Sequence, residues 1–211
     1  MTTLAVRGQT VPTSSPAGVW SGSPDLAGAL NDGAAGTNPA TYVVWASNVS
    51  LGVGYIEVSG YNFAATIGSG DTLTSVTATI RHTESSTIRF SSVNVQAYSG
   101  GSAVGTSFNA GGLSTTARTD SASVGAVTLA QLRSSDFTIR VTATRTSGTT
   151  GSNFFLDYVD VTAVYTTVAS GRPKVYNGTS FVAKPLKVYN GTTFVEKPVN
   201  VWTGSVWKRL T

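Results

Sequence analysis

The stretch SVTATIRH, Ser75 to His82, decides how this chain is read. Val76, Ala78 and Ile80 fall on one parity, and Thr77, Thr79 and Arg81 on the other. Period-two alternation with threonine on the polar side describes a half-buried antiparallel strand. The same alternation returns from Phe137 to Thr144, where Phe137, Ile139, Val141 and Ala143 share one face. Phe155, Val159, Val161, Ala163 and Tyr165 give it once more. YVVWA, Tyr42 to Ala46, is a short continuous apolar run of the kind that forms a fully buried strand. Tyr55 to Val58 alternates briefly. Ile88 and Phe90 oppose Val93, Val95 and Ala97 in parity, so a bulge or turn is expected near Ser91 and Ser92. After a Gly-rich connection comes Ser121 to Val127. TLAQLRSSDF, Thr128 to Phe137, is the one plausible helical turn. About eight strands at regular spacing predict an all-β protein, a jelly-roll-like antiparallel β-sandwich spanning residues 41–168.

Composition agrees. Of 211 residues, 11% are charged, and glycine, serine, threonine and valine are abundant. Such a mix favours pleated structure joined by turns. Residues 1–40 carry Pro12, Pro16, Pro24 and Pro39 and no sustained period. They are expected to form an irregular N-terminal arm, with a short helical turn near Leu26 to Leu30. The first residues, MTTLAVRGQTV, lack a charged segment followed by a long apolar run, so neither a signal peptide nor membrane insertion is expected.

Beyond a linker at 169–173, residues 174–211 hold three near-copies of one phrase. They read KVYNGTSFVAKP from Lys174, KVYNGTTFVEKP from Lys187 and NVWTGSVWKRL from Asn200, at a constant spacing of 13 residues. Aromatics recur at Tyr176, Tyr189 and Trp202, and again at Phe181, Phe194 and Trp207. A glycine recurs at Gly178, Gly191 and Gly204. Asn177-Gly178 and Asn190-Gly191 signal hairpin turns, because both residue types tolerate positive φ. A two-residue turn would pair Tyr176 with Thr179. A four-residue loop pairs Tyr176 with Phe181, and the recurrence of both aromatics favours it. A fixed period implies a repeated unit buried by its neighbours or by a partner.

Charge is divided unevenly. From Arg172 onward there are seven basic residues and one acid (Glu196), a net of +6; residues 1–171 hold seven arginines and nine acids, a net of −2. All five lysines, Lys174 and Lys187 among them, lie in the repeats. A basic tail fits an acidic or phosphate-bearing partner. Lysines on short strands also block edge-to-edge aggregation, and that simpler role ranks first.

The residues offer little for catalysis. The single histidine, His82, lies on the core parity of its strand and is expected to be structural. No serine stands in a nucleophile-elbow context. Asp157 and Asp160 have odd spacing and point to opposite faces of a strand. Asp157 shares the apolar face, which suggests burial against an arginine such as Arg145 or Arg140. No acid–base pair is identifiable, so no catalytic residue is assigned. The chain has no cysteine, which leaves zinc without a ligand set. No metal and no cofactor are expected. The repeat aromatics could stack on sugar rings or on bases. Packing against one another ranks first, sugar contact second and nucleic acid last.

The tail phrase KPLKVYNGTTFVEKPVNVWTGSVWKRL, Lys184 to Leu210, resembles the repeats that close many minor tail proteins of phages infecting actinobacteria, where units such as KPVKVWNGSAWV recur. LAQLRSSDFTIRVTA (Leu129 to Ala143) and NFFLDYVDVTAVYTT (Asn153 to Thr167) are similar to the β-sandwich of such virion proteins. The resemblance implies a non-enzymatic structural component of a phage particle, at the tail tip or fibre. It would contact other virion proteins or the host envelope. Assembly as a homo-oligomer, with a trimer as first guess, is expected. Two other readings stand beside it: a decoration protein that clamps capsid subunits, and a carbohydrate-binding module contacting cell-wall glycan. The last predicts that Trp202 and Trp207, or the aromatics of the first two repeats, are exposed and coplanar.

Overall fold

The computed structural model describes residues 1–15, 20–21, 43–45, 52–84, 90–110, 115–145, 153–167, 174–176, 179, 181–183, 186–202 and 207–210. The chain divides into two units, Met1–Thr166 and Thr167–Thr211.

The first unit is an antiparallel β-sandwich. Its strands are β1 (Thr2–Arg7), β2 (Thr10–Ser15), β3 (Trp20–Ser21), β4 (Val43–Trp45), β5 (Gly52–Ser59), β6 (Thr72–Glu84), β7 (Phe90–Ser99), β8 (Ser102–Asn109), β9 (Arg118–Ser123), β10 (Thr138–Arg145) and β11 (Phe154–Thr166). One sheet runs β3-β4-β11-β6-β9, with β1 also paired to β11; the other runs β2-β5-β10-β7-β8. The chain passes repeatedly from one sheet to the other, which is the crossing pattern of jelly-roll-like sandwiches. Val76, Ala78 and Ile80 of β6 and Val159, Val161 and Ala163 of β11 form one inner face. Ile56 and Val58 of β5, Val93, Val95 and Ala97 of β7, and Ile139, Val141 and Ala143 of β10 form the other. All are buried, as period-two alternation requires.

The two ends of this core differ. At one end Tyr61, Phe63 and Phe137 pack ring against ring, with centroids 5.9 to 6.4 Å apart. Leu132, buried on the short helix α1 (Leu129–Leu132), belongs to the same core. That helix opens with a capping box between Thr128 and Gln131, which satisfies two backbone donors that four residues cannot satisfy alone. At the other end Phe90 and Phe154 meet between the sheets beside buried His82.

Several expectations change. The arm expected over residues 1–40 begins as sandwich: β1 pairs with β11 from Thr2↔Tyr165 to Arg7↔Asp160, and β2 pairs with β5. Leu4 and Val6 pack on the core. Pro12 is tolerated because β2 is an edge strand whose register slips between Thr10 and Thr13, so its missing N–H breaks no ladder. The turn expected near Leu26 to Leu30 lies outside the described residues. The Gly-rich connection after Ala97 is largely β8. Gly105 there takes φ +67, and a Cβ on it would overlap the Val124 carbonyl oxygen. Only glycine allows the backbone of β8 to approach that loop.

The bulge expected near Ser91 is present. Thr144 faces Ser92 while Arg145 faces Phe90, leaving Ser91 over. A second bulge gives no such sign in the sequence. Leu156 faces His82 and Tyr158 faces Arg81, so Asp157 is the extra residue of β11. It reverses the parity, and Phe154 and Leu156, rather than Phe155, join Val159 and Val161 inside.

Candidate functional site

Two arrangements bear on function: a buried polar cluster inside the sandwich and the carboxyl-terminal hairpins.

The cluster is centred on His82. Its Nδ1 lies 2.7 Å from Glu84 Oε1 and its Nε2 lies 2.9 Å from Asp120 Oδ2. Phe154 stacks on the ring at 5.8 Å. Arg118 donates to both oxygens of Asp120 and is held more firmly charged by that contact. The His82 side chain has no exposed surface. Both ring nitrogens are thus committed to carboxylates on opposite sides, and neither faces solvent. Among the described residues no group of His, Asp and Glu is arranged to hold a metal. The cluster ties β6 to β9 at an end where the core holds polar groups. Asp157, buried by its bulge, lies 3.4 Å from Arg81. The expected Arg140 partner is instead engaged by Glu57 at 2.6 Å, with its guanidinium between the rings of Tyr55 and Tyr98, 4.0 and 3.9 Å from their centroids.

The second unit contains three two-stranded sheets: β12 (Lys174–Tyr176) with β13 (Phe181–Ala183), β14 (Lys187–Tyr189) with β15 (Phe194–Glu196), and β16 (Val199–Trp202) with β17 (Trp207–Leu210). The register places Tyr176 opposite Phe181, Tyr189 opposite Phe194 and Trp202 opposite Trp207. The four-residue loop, and not the two-residue turn, is the geometry adopted. Asn177, Gly178 and Gly204 lie outside the described residues.

The second hairpin shows how the phrase works. Asn190 closes the loop through its side chain, whose Oδ1 accepts from Thr192 N at 3.0 Å and Thr193 N at 2.9 Å. Its own N–H donates to the Thr193 carbonyl. Gly191 alone takes the positive φ, at +97°. Asparagine is therefore used as a local acceptor and not for left-handed backbone, which corrects the reading that both residues supply positive φ. Beyond the strands, Lys197 N donates to Leu186 O at 2.9 Å and extends the ladder.

Alternation along these strands gives the hairpin two unlike faces. One face carries the pairs Lys187↔Glu196 and Tyr189↔Phe194; the other carries Val188↔Val195, with Leu186 beyond it. Tyr189 and Phe194 are 56% and 68% exposed, and their centroids lie 5.2 Å apart with planes inclined at 48°. They touch but do not bury each other within the single chain. Nor are they coplanar, as a flat sugar platform would require; each ring offers its own face. The Tyr189 hydroxyl donates to the Gly191 carbonyl at 3.0 Å, which fixes the ring over the loop. The aromatic pairing is readable from sequence because both positions recur. The tyrosine-to-loop bond is not, because it has no periodic signal.

No family model matches the chain, and no curated protein matches it. Among solved structures it is similar to a carbohydrate-binding module CBM36 in complex with calcium and xylotriose, at 13% identity over 76% of this chain and 99% of that one, with TM-score 0.36. It is also similar to the CBM36-1 domain of a multidomain xylanase from the hindgut metagenome of Trinervitermes trinervoides, at 13% identity over 76% and 96% and TM-score 0.35. A family 35 carbohydrate binding module from Clostridium thermocellum aligns at 16% identity over 76% and 98% with TM-score 0.31. At these TM-scores the likeness carries no argument about this chain, whose fold and chemistry are read from its own residues.

Proposed function

We propose that this protein is a non-enzymatic attachment protein, in which a β-sandwich carries three aromatic hairpins that engage a surface glycan. The resemblance of the repeats to phage minor tail proteins supports a place for it on a virion, at the tail. The observation that carries the reading is the Tyr189–Phe194 pair, exposed on a hairpin too small to bury it and anchored by the loop beneath. The apolar faces of sugar rings stack on aromatic rings, and the exposed Lys187, Asn190, Thr192 and Thr193 supply hydrogen-bonding groups around them. Fixing a ring before binding lowers the entropy cost of contact. The same register at Tyr176/Phe181 and Trp202/Trp207 offers three sites to one polymer, so weak single contacts would combine.

Pull-down of the full chain on host cell-wall fragments, with Tyr189→Ala/Phe194→Ala and Trp207→Ala as variants, tests this. Binding that falls in the variants supports it; full retention in all of them sinks it. A second reading is favoured by the aliphatic face. Leu186 and Val188 are 43% and 45% exposed on the side away from the rings, so this face could pack against copies of the chain, a trimer being the first expectation. Native mass separates the two: a trimer that dissociates on Val188→Lys, with cell-wall binding unchanged by the aromatic variants, would favour packing.

A further inference from the structure

Resting on the glycan reading above, we infer that the polymer bound by the hairpins is a polyanion, with phosphate or carboxylate groups along its chain. Charge and placement argue it together. The second unit is set apart from the sandwich in sign: every lysine of the chain and Arg172 and Arg209 fall there, against the single acid Glu196. In the described hairpin the cation is beside the rings. Lys187 is two residues from Tyr189 on the same strand, hence on the same face, and is exposed. Lys197 is exposed at the far end of the ladder. Glu196 stands opposite Lys187 and offsets part of that charge.

In the flanking hairpins no acid stands in register with the basic residues. The partner of Lys174 in register is Ala183, and that of Arg209 is Asn200. Edge protection alone would need lysines on the strands but would not need them to recur beside an aromatic pair. A chain of anions spaced along a polymer meets this pattern: rings take the sugars, ammonium groups take the charges, and counterions are released from the polymer. Within one hairpin the groups lie about 7 Å apart along a strand face, inside the screening length of roughly 8 Å at physiological salt.

The test is binding of the full chain to immobilised polymers across a salt series. The probes are a neutral glucan, a polyuronate, a phosphomannan and single-stranded DNA. Affinity for one or both anionic sugar polymers is expected to exceed that for the glucan, and to fall roughly ten- to a hundredfold between about 50 and 200 mM salt. The two anionic arms distinguish carboxylate from phosphate. Lys174→Gln/Lys187→Gln/Lys197→Gln should flatten the salt slope, whereas Tyr189→Ala/Phe194→Ala should weaken binding at every salt with the slope kept. Equal, salt-independent binding to the glucan would overturn the polyanion inference and leave glycan attachment standing. Equal binding to DNA would overturn it by reducing the site to charge alone. Binding to none of the probes or to cell-wall fragments would overturn both.

Discussion

The sandwich and the hairpins are built from similar residues by opposite means. In the sandwich, β-branched residues alternate across long strands, and each inward face is covered by the other sheet. Two of the polar side chains that end up inside are tied: His82 to Glu84 and Asp120, Asp157 to Arg81. In the hairpins, strands of three or four residues carry aromatics and lysines, and order comes from the loop, through Asn190 and Gly191. A lone two-stranded hairpin is marginal in water. The first region buries its apolar surface against itself, whereas in the second Leu186, Val188, Tyr189 and Phe194 stay exposed.

Four substitutions put that contrast to the test, in falling order of effect. Gly105→Ala forces a Cβ onto the Val124 carbonyl at positive φ, and should cost about 3 kcal/mol or more in urea unfolding of the sandwich. An unchanged midpoint would mean that β8 does not lie against that loop. His82→Ala removes both carboxylate contacts and the ring stacked on Phe154; a loss of about 2–4 kcal/mol is expected by the same measurement. Gly191→Ala is the counterpart of Gly105→Ala in the other region. Its φ is also positive, but a Cβ there meets nothing within 4 Å. Only backbone strain of about 1–2 kcal/mol remains, confined to one hairpin. The sandwich melt should not move, while the amide shifts of Thr192 and Thr193 should. A shift in the melt would show that the two regions are not independent.

The smallest effect is in acid. Hydrogen bonds from Ser134, the Gly100 N–H and Ser99 hold the Asp136 carboxyl below its ordinary value. A depressed folded-state value means that its stabilisation is present above the unfolded value and is lost as pH falls through the folded one. Asp136→Asn should therefore leave a shallower acid limb below about pH 4 than the parent shows. Identical limbs would show that this exposed network contributes nothing measurable.

Much of this is legible in SVTATIRH and its relatives, because a strand covered on one face writes its burial into every second residue. The Ser91 bulge is legible for the same reason: Phe90 and Val93 are both apolar and of opposite parity. The same test, applied between Leu156 and Val159, would find the bulge at Asp157. It fails because Phe155 is apolar and continues the wrong series. β1 and β2 are hidden by brevity and by Pro12, and β8 by Gly105, since edge strands and close approaches violate the pattern that marks central strands. In the repeats, recurrence reveals which aromatics pair but not whether they are covered. Exposure depends on what a hairpin packs against, and a 13-residue phrase does not encode that.

The pairing of β1 with β11 bears on how the chain comes to be folded. Thr2 lies opposite Tyr165, so this strand finds its neighbour only after all the intervening sandwich strands have been made. Closing so long a loop is slow compared with local structure. The hairpins, whose partners are a few residues apart, can form on a much faster timescale once they emerge. A refolding experiment should therefore be biphasic, with aromatic signals of the repeats recovering ahead of the sandwich, and the nascent chain would hold its β1 edge unpaired until the last sandwich strand arrives.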